Sequence, residues 1–534
     1  MQLNSPQPRN RIKFATSSAL KIGLIKLIYY IASNGHCMRL CTIGIAMLGD
    51  EREFLHPQLI PKCKENLEKT AKIIREKISY RYGLKPDIIT GSKVITSIRT
   101  AREVGEELNK AGAKIIILLY YIWNYPYLVW PFLNTVGRDK PILSLSNNEG
   151  AYPGNVGLLA TDGALRQCGF RTHRIVGDIE DPRVQEKVVN WIMAAEAYAS
   201  MKGQMYGMYG GHSMGMETGY FHLIPLQKIL GVGVYQIDQL WLVERMKEIP
   251  DEEVEKGFRW LSDMLGDRIK YDNKMLTPET LKKQIRLYLA MKKVNEEYGF
   301  DFCGIKGQRE MSECVCITDV AEMLMNDPYD WNGPKEPFVC ATEADALAAV
   351  TMQVLKYISG GLPVIFADVR LYHPDKDLWD FCNSGNHSSW YAARSDDPRE
   401  NFKKVTLHPA LELYFKAGGA SVEFDAAPGE MTFARMGIYD DKLYMVIVRG
   451  VVPDLPEKER RRLASMTNPT WPHVFVKLNC SFEEFISVFP SNHILGVAGN
   501  HVDKLITYCE IAGIEPIVLG EARRPAIWDM IHKH

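Results

Sequence analysis

Apolar and polar positions along this chain alternate in blocks whose period changes, and those changes mark its organisation. From Met38 a nearly continuous apolar run over 40–48 predicts a buried strand, and Leu67, Ala71, Ile74 and Ile78 recur at helical spacing, predicting a helix over 61–79. A short strand is expected at Asp87–Thr90, then a helix over Ser97–Lys110 stopped by Gly112. The run KIIILLYYIW at 114–123 has no polar face, as in a parallel strand covered on both sides. Strand and helix alternating in this way predict a right-handed α/β layer.

A Gly- and Met-rich passage, SMKGQMYGMYGGHSMGM at 200–216, interrupts the alternation and is read as a domain boundary. Charged amphipathic helices follow over 251–300. Residues 337–368 read as a βαβ unit: PFVCAT as strand, ADALAAVTMQVLKYIS as helix, Gly360-Gly361 as its stop and PVIFA as the returning strand. Beyond about 385 the pattern becomes hairpins, with two alternating strands around Asp440-Asp441, then HVFVKLN and the helix-like HVDKLITYCEIAG. The expected units are 38–200 and 201–368, both doubly wound α/β, and 369–534, β-rich and barrel-like. Residues 1–37 read as a loosely packed extension. Its apolar stretch is interrupted by Lys21 and Lys26 and is too short and too charged to span a membrane.

Charge and cysteine usage narrow the function. Lys and Arg number 64 against 65 Asp and Glu, a balance that argues against nucleic-acid binding through a broad basic surface. Eleven cysteines without regular spacing read as thiols in a reducing compartment, so a cytoplasmic small-molecule enzyme is expected.

Gly211-His212-Ser213-Met214-Gly215 matches the G-x-S-x-G nucleophile elbow, which would make Ser213 a hydrolase nucleophile. The elbow needs a buried strand leading in and a helix leading out, and MKGQMYGMYG is a poor central strand, so a turn packed near a site is the better reading. Cys303, Cys314 and Cys316 lack zinc-site spacing and read as buried thiols. The βαβ unit carries more. Its strands end in Glu343 and Asp368, and neighbouring parallel strands lie about 4.8 Å apart. Two carboxylates at adjacent strand ends repel unless a proton or a cation lies between them, which a divalent metal satisfies. Alternatively Glu343 caps the following helix. A third ligand is expected from His387, His408, His473, His493 or His501; His493 lies in a loop after an amphipathic helix. One His with two carboxylates is a hard set suited to Mn²⁺ or Mg²⁺.

Several blocks then resemble the L-fucose isomerase family in order along the chain: DPYDWNG (327–333), KEPFVCATE (335–343), VIFADVR (364–370), NSG (383–385), NPTWP (468–472) and SNH (491–493). SMKG followed by GG-x-SMG (200–215) resembles that family's junction between its first two domains. The resemblance implies two N-terminal α/β domains, a β-rich C-terminal domain, a homohexamer and Mn²⁺-dependent aldose–ketose isomerisation of L-fucose, D-arabinose or a related sugar. It implies catalytic and metal-binding roles for Glu343 and Asp368, with His493 as the third ligand. Substrate contacts carry over onto Arg52, Gln308, Ser384, Trp471 and Asn492, and Trp123 matches an aromatic lent by a neighbouring subunit. Two positions depart from the pattern: Lys306 stands where the family carries Gln, and Ala420 where it carries Tyr. Lys306 is therefore expected to touch substrate and shift the preferred sugar, or else to pair with Glu310 or Glu313. The competing reading, an isomerase-fold sugar-binding or regulatory protein without catalysis, predicts loss of Glu343, Asp368 or His493, and all three are present.

Overall fold

The computed structural model of the protein describes residues 38–148, 152, 154–385 and 387–521; the expectations for 1–37 lie outside the described residues. The first layer is a five-stranded parallel sheet of β1 (Thr42–Leu48), β2 (Ile88–Thr90), β3 (Ala113–Tyr120), β4 (Ile142–Ser146) and β5 (Thr172–Val176), in the order β2-β1-β3-β4-β5. Every β3 residue except Lys114 is buried, as its unbroken apolar run requires. The helix after β2 spans Ile98–Lys110, and Ser97 closes its N-terminus by a reciprocal capping box with Thr100.

The second layer holds β6 (Met205–Tyr209), β7 (Gly233–Ile237) and β8 (Phe302–Ile305). After a short hairpin of β9 (Tyr329–Asp330) and β10 (Gly333–Pro334) comes β11 (Cys340–Thr342), and the parallel order is β11-β8-β6-β7. The segment judged a poor central strand is therefore β6, an inner strand. Its glycine is a packing requirement: a Cβ on Gly207 would lie 2.3 Å from the Phe300 ring.

The C-terminal region is a closed antiparallel barrel. Its strands are β12 (Ile365–His373), β13 (Leu378–Cys382), β16 (Gly429–Tyr439), β17 (Lys442–Val452), β18 (His473–Leu478) and β19 (His493–Ala498). The order β16-β19-β12-β13-β18-β17 closes through β17 onto β16, and β20 (Glu515–Val518) lies parallel to β17. A separate pair, β14 (Thr406–Pro409) and β15 (Ala420–Glu423), packs on the second layer, with β15 against the helix Asp319–Asn326 and Leu407 of β14 bridged to Ile269. The β16–β17 turn is Asp440-Asp441, both residues at positive φ (47° and 61°), the backbone a tight two-residue hairpin demands.

One expectation fails at this junction. β11 and β12 are not neighbours in one parallel sheet: β11 belongs to the second layer, while β12 pairs antiparallel with β13 and β19. The connecting helix, Ala346–Ile358, is buried at all thirteen positions. It packs against the helix Pro182–Met201, against β8 and β11, and against β12, β16 and β19. A helix buried all round is shielded on every side, with its polar Gln353 and Lys356 paired to Gln204 and Glu336, and this one packs among all three layers. Past Gly360 and Gly361 the chain enters the barrel instead of returning to the sheet. Because β12 spans 365–373, a boundary after 368 would cut through it, and Asp368 is a barrel residue.

Candidate metal and sugar site

Asp368 and His493 are directly opposed across β12 and β19, so their side chains leave the sheet on one face. His493 is the first residue of β19, not a loop residue. Its ring is tilted against Phe366 at a centroid distance of 4.5 Å. Nδ1 donates to Asp345 Oδ2 at 2.7 Å, which leaves Nε2 facing the carboxylates. Nε2 lies 3.3 Å from Asp368 Oδ1 and 3.0 Å from Glu343 Oε2.

Asp345 anchors the arrangement. It caps the helix Ala346–Ile358 by accepting the Ala348 N–H at 2.8 Å, and it pairs with the fully buried guanidinium of Arg435 at 3.0 Å. Glu343 therefore does not serve as the cap. Burial alone would raise the Asp345 carboxyl; the Arg435 charge and the His493 hydrogen bond outweigh it and hold the group at about 2. Burial likewise opposes charge on the His493 ring, and the Asp345 hydrogen bond together with the nearby Asp368 and Glu343 carboxylates outweighs it, raising that pKa well above the ordinary value.

Glu343 comes from the other layer. It and Ala344 follow β11 at φ 56° and 51°, a left-handed turn of two non-glycine residues. Such positions are strained and persist where the surroundings hold them. Here Ala344 N–H donates to the Ile305 carbonyl at 2.9 Å, and the Ala344 carbonyl accepts the Tyr206 hydroxyl at 3.0 Å.

Glu343 Oε2 and His493 Nε2 are buried, and neither has a protein hydrogen-bond partner. Adjacent ligands of an octahedral ion bound at 2.0–2.1 Å sit roughly 3 Å apart. The two contacts onto Nε2 match that spacing, and two carboxylates with one imidazole are hard donors. As the side chains stand, no three His, Cys, Asp or Glu among the described residues form a complete metal-holding group. The buried, unpartnered donor atoms are the stronger observation, because a carboxylate oxygen left facing an imidazole nitrogen without a hydrogen bond wants a cation or proton between them. Glu343, Asp368 and His493 are the residues that could hold one.

The other candidate histidines are committed elsewhere or set apart. His473 is locked to Asp380 and the Asn468 carbonyl, His501 to the Ala498 carbonyl, and His408 lies 3.6 Å from Glu423. His387 is buried without a side-chain partner, and burial drives its pKa down to about 3.

These groups open into a cavity of about 290 Å³. Of the sequence-derived contacts, Lys306, Gln308, Ser384, Trp471 and Asn492 line it together with Glu343 and Asp368. Lys306 and Gln308 do not continue a strand, since β8 ends at Ile305; they share the cavity through the turn that follows. Lys306 lines the cavity and its Nζ pairs with Glu310 at 2.9 Å, which is the pairing expected of it. Ala420 is buried in β15, outside the cavity lining, while Tyr414 and Phe415 from the same segment stand near Trp471.

Arg52 and Trp123 do not line this cavity. They follow β1 and β3, where the strand order of the first sheet reverses, the usual ligand crevice of such sheets. Arg52 makes a two-pronged contact with Asp50 at 3.0 and 2.6 Å, and Tyr127 ties the two loops together by donating to Glu51 at 2.6 Å. The elbow motif resolves into a cavity wall: Ser213 is buried and donates to the Lys306 carbonyl at 3.3 Å, while Met214 and Met216 face the cavity. Of the three cysteines, Cys303 and Cys316 are buried, whereas Cys314 is exposed, against expectation.

Sequence reasoning missed two charged lining residues. Arg370 contacts Asp368 at 3.2 Å, reaches Asn468 at 3.1 Å and lies over the Trp471 ring at 5.2 Å. Its place two residues after Asp368 on a strand was the available signal. Asp319, at the start of the helix Asp319–Asn326, gave none.

Three family models match this chain: the first N-terminal domain of L-fucose isomerase over residues 40–203, the second N-terminal domain over 288–360 and the C-terminal domain over 381–519. Among curated proteins, the L-fucose isomerases of Citrobacter koseri and Salmonella typhimurium are each 26% identical, over 500 and 503 residues. Both alignments cover 80% of this chain and 83% of the relative. That of Klebsiella pneumoniae is 26% identical over 490 residues, covering 79% and 81%. No helix among the described residues is long and apolar enough to cross a membrane.

Proposed function

Since the chain belongs to the L-fucose isomerase family, we propose that it is a Mn²⁺-dependent aldose–ketose isomerase acting on L-fucose, D-arabinose or a sugar related to them. The observation that carries this reading is the convergence of Glu343 and Asp368 on His493 Nε2 at the wall of a cavity lined by both polar and apolar side chains. A divalent ion held by these three supplies Lewis-acid stabilisation of charge developing on the sugar oxygens.

The chain's own groups move the proton. One of Glu343 and Asp368 takes the hydrogen from C2 of the open-chain aldose; the C–H electron pair forms the C1–C2 double bond of the cis-enediol stage, and the carbonyl oxygen on C1 takes up the proton that the C2 hydroxyl gives up. The other carboxyl delivers a proton to C1 while the oxygen on C2 becomes the ketone. Gln308, Ser384 and Asn492 hold hydroxyls, and Trp471 presents a flat face to the C–H side of the sugar. Arg52 and Trp123, lying at the crevice of the first sheet and outside their own chain's cavity, serve the cavity of a neighbouring subunit in a homohexamer.

The test is ketose formation from a panel of aldopentoses and deoxyhexoses with Mn²⁺ present. Conversion of at least one sugar is expected, with Glu343→Gln and Asp368→Asn each lowering kcat by about 10²–10⁴. A protein that converts none of them overturns the reading.

A further inference from the structure

Asp319 is the cavity's unexplained charge. It is only 3% exposed, it lines the cavity, and its Oδ2 is buried without a hydrogen-bond partner. A buried carboxylate oxygen left without a hydrogen bond is costly to the fold. At the start of a helix it gains some help from the helix dipole, but a helix needs no acid buried in a cavity wall for that. Burial pushes its carboxyl up to about 7, against the pull of the Ser421 and Ser384 hydroxyls.

The surroundings fix where this group sits. The backbone of Gly385 lies directly on it: a Cβ there would come within 2.5–2.6 Å of the Asp319 Cα, Cβ and Cγ. Gly385 thus lets the loop carrying Ser384 close over Asp319, and both side chains share the cavity. Beside them Ile317, Phe415 and Trp471 form a small apolar cluster. A carboxylate set against an apolar wall suits a sugar, whose hydroxyls and C–H faces alternate around a small carbon frame.

We infer that Asp319 is a specificity-determining residue that accepts hydrogen bonds from sugar hydroxyls beyond C2. This inference rests on the isomerase reading and deepens it. Glu343, Asp368 and His493 act at C1 and C2, which every aldose shares; Asp319 and Ser384 read the part of the sugar by which substrates differ. The unpartnered oxygen is the empty acceptor that a bound hydroxyl fills.

The test compares the Mn²⁺-loaded wild type with Asp319→Asn, which keeps the shape and removes the charge, and with Gly385→Ala, which displaces the carboxyl. Binding of L-fucose, D-arabinose and analogues each lacking one hydroxyl beyond C2 is measured by calorimetry, alongside turnover and Tm. Both variants are expected to bind the full sugars roughly ten- to hundredfold more weakly, the range for a hydrogen bond to a charged group. One deoxy analogue should lose little, and Asp319→Asn should melt no lower than wild type. Equal binding by wild type and Asp319→Asn overturns the inference while leaving isomerisation intact. So does a uniform loss across all analogues with a lowered Tm, the mark of a structural role. A wild type that neither binds nor converts any of the sugars overturns the isomerase reading and this inference with it.

Discussion

Asp345 Oδ2 lies 2.7 Å from His493 Nδ1, so an acid in the cap of one layer's helix sets the orientation of an imidazole on a strand of the barrel. The same carboxylate neutralises Arg435, whose other nitrogen donates to the Thr218 carbonyl at 2.8 Å. One side chain therefore ties the helix, the barrel and the 211–219 wall segment together.

Replacing Asp345 should show both roles. Asp345→Asn keeps a capping oxygen but gives up the carboxylate that fixes the ring, and Mn²⁺ affinity is expected to fall about 10–100-fold, as for other groups that orient a metal-binding histidine. Asp345→Ala also leaves Arg435 buried and unpaired, with an expected stability loss of about 3–5 kcal/mol. Mn²⁺ titration and chemical denaturation measure the two effects separately, and an Asn variant with wild-type affinity would show that the ring is held by packing alone.

Metal removal tests the donor set directly. EDTA-treated, dialysed protein should lose isomerase activity and regain it with added Mn²⁺. Full activity after metal stripping, checked by elemental analysis, contradicts the role given to Glu343, Asp368 and His493.

Lys306 sits between two duties. Its ammonium is held by Glu310 and faces the cavity, and the hydrogen bond from Lys306 keeps the Glu310 carboxyl below its ordinary pKa. Because Glu310 is well exposed, the pair contributes about 0–1 kcal/mol, so Lys306→Gln should fold almost as stably as wild type. The expected effect is on preference: activity on L-fucose should rise relative to the native substrate. An unchanged ranking across the sugar panel makes Lys306 a structural partner of Glu310.

Glu196 gives stability a pH dependence remote from the cavity. It is fully buried, accepts the Cys41 N–H and the Ser200 hydroxyl, and burial raises it to about 7. Below its ordinary value of 4.5 both folded and unfolded chains hold the proton; between 4.5 and about 7 only the folded chain does. Its contribution is therefore full at low pH and is lost as pH rises through that interval. Glu196→Gln should flatten the fall in Tm between roughly pH 5 and 8; a variant with the wild-type slope assigns that slope to other buried acids.

Local patterns made much of this architecture legible. The apolar run of β3, the Ser97 cap and the Asp440-Asp441 turn each state their structure within a few residues. Pairing is different. Nothing within VIFADVRLYH says whether its partners are parallel or antiparallel, because one of its two ladders is completed by residues more than a hundred positions away at 493–496. Glu343, Asp368 and His493 were readable through their blocks, although the geometry that first suggested the two acids, adjacent parallel strands, is not the geometry that joins them. Met214, Asp319 and Arg370 share a wall only after the second layer and the barrel pack, and β6 reads as a poor strand because its glycine answers to Phe300, nearly a hundred residues on.

The left-handed turn at Glu343 and Ala344 has a consequence for how such a protein fails. Two of the three converging groups ride on neighbouring strands of one closed barrel, and their spacing survives as long as that barrel does. The third is levered into place from the adjoining layer. Competence is thus a property of the joint between layers: a slight parting there would silence the protein while every strand remained intact. Loss of activity on warming should then run ahead of loss of secondary structure.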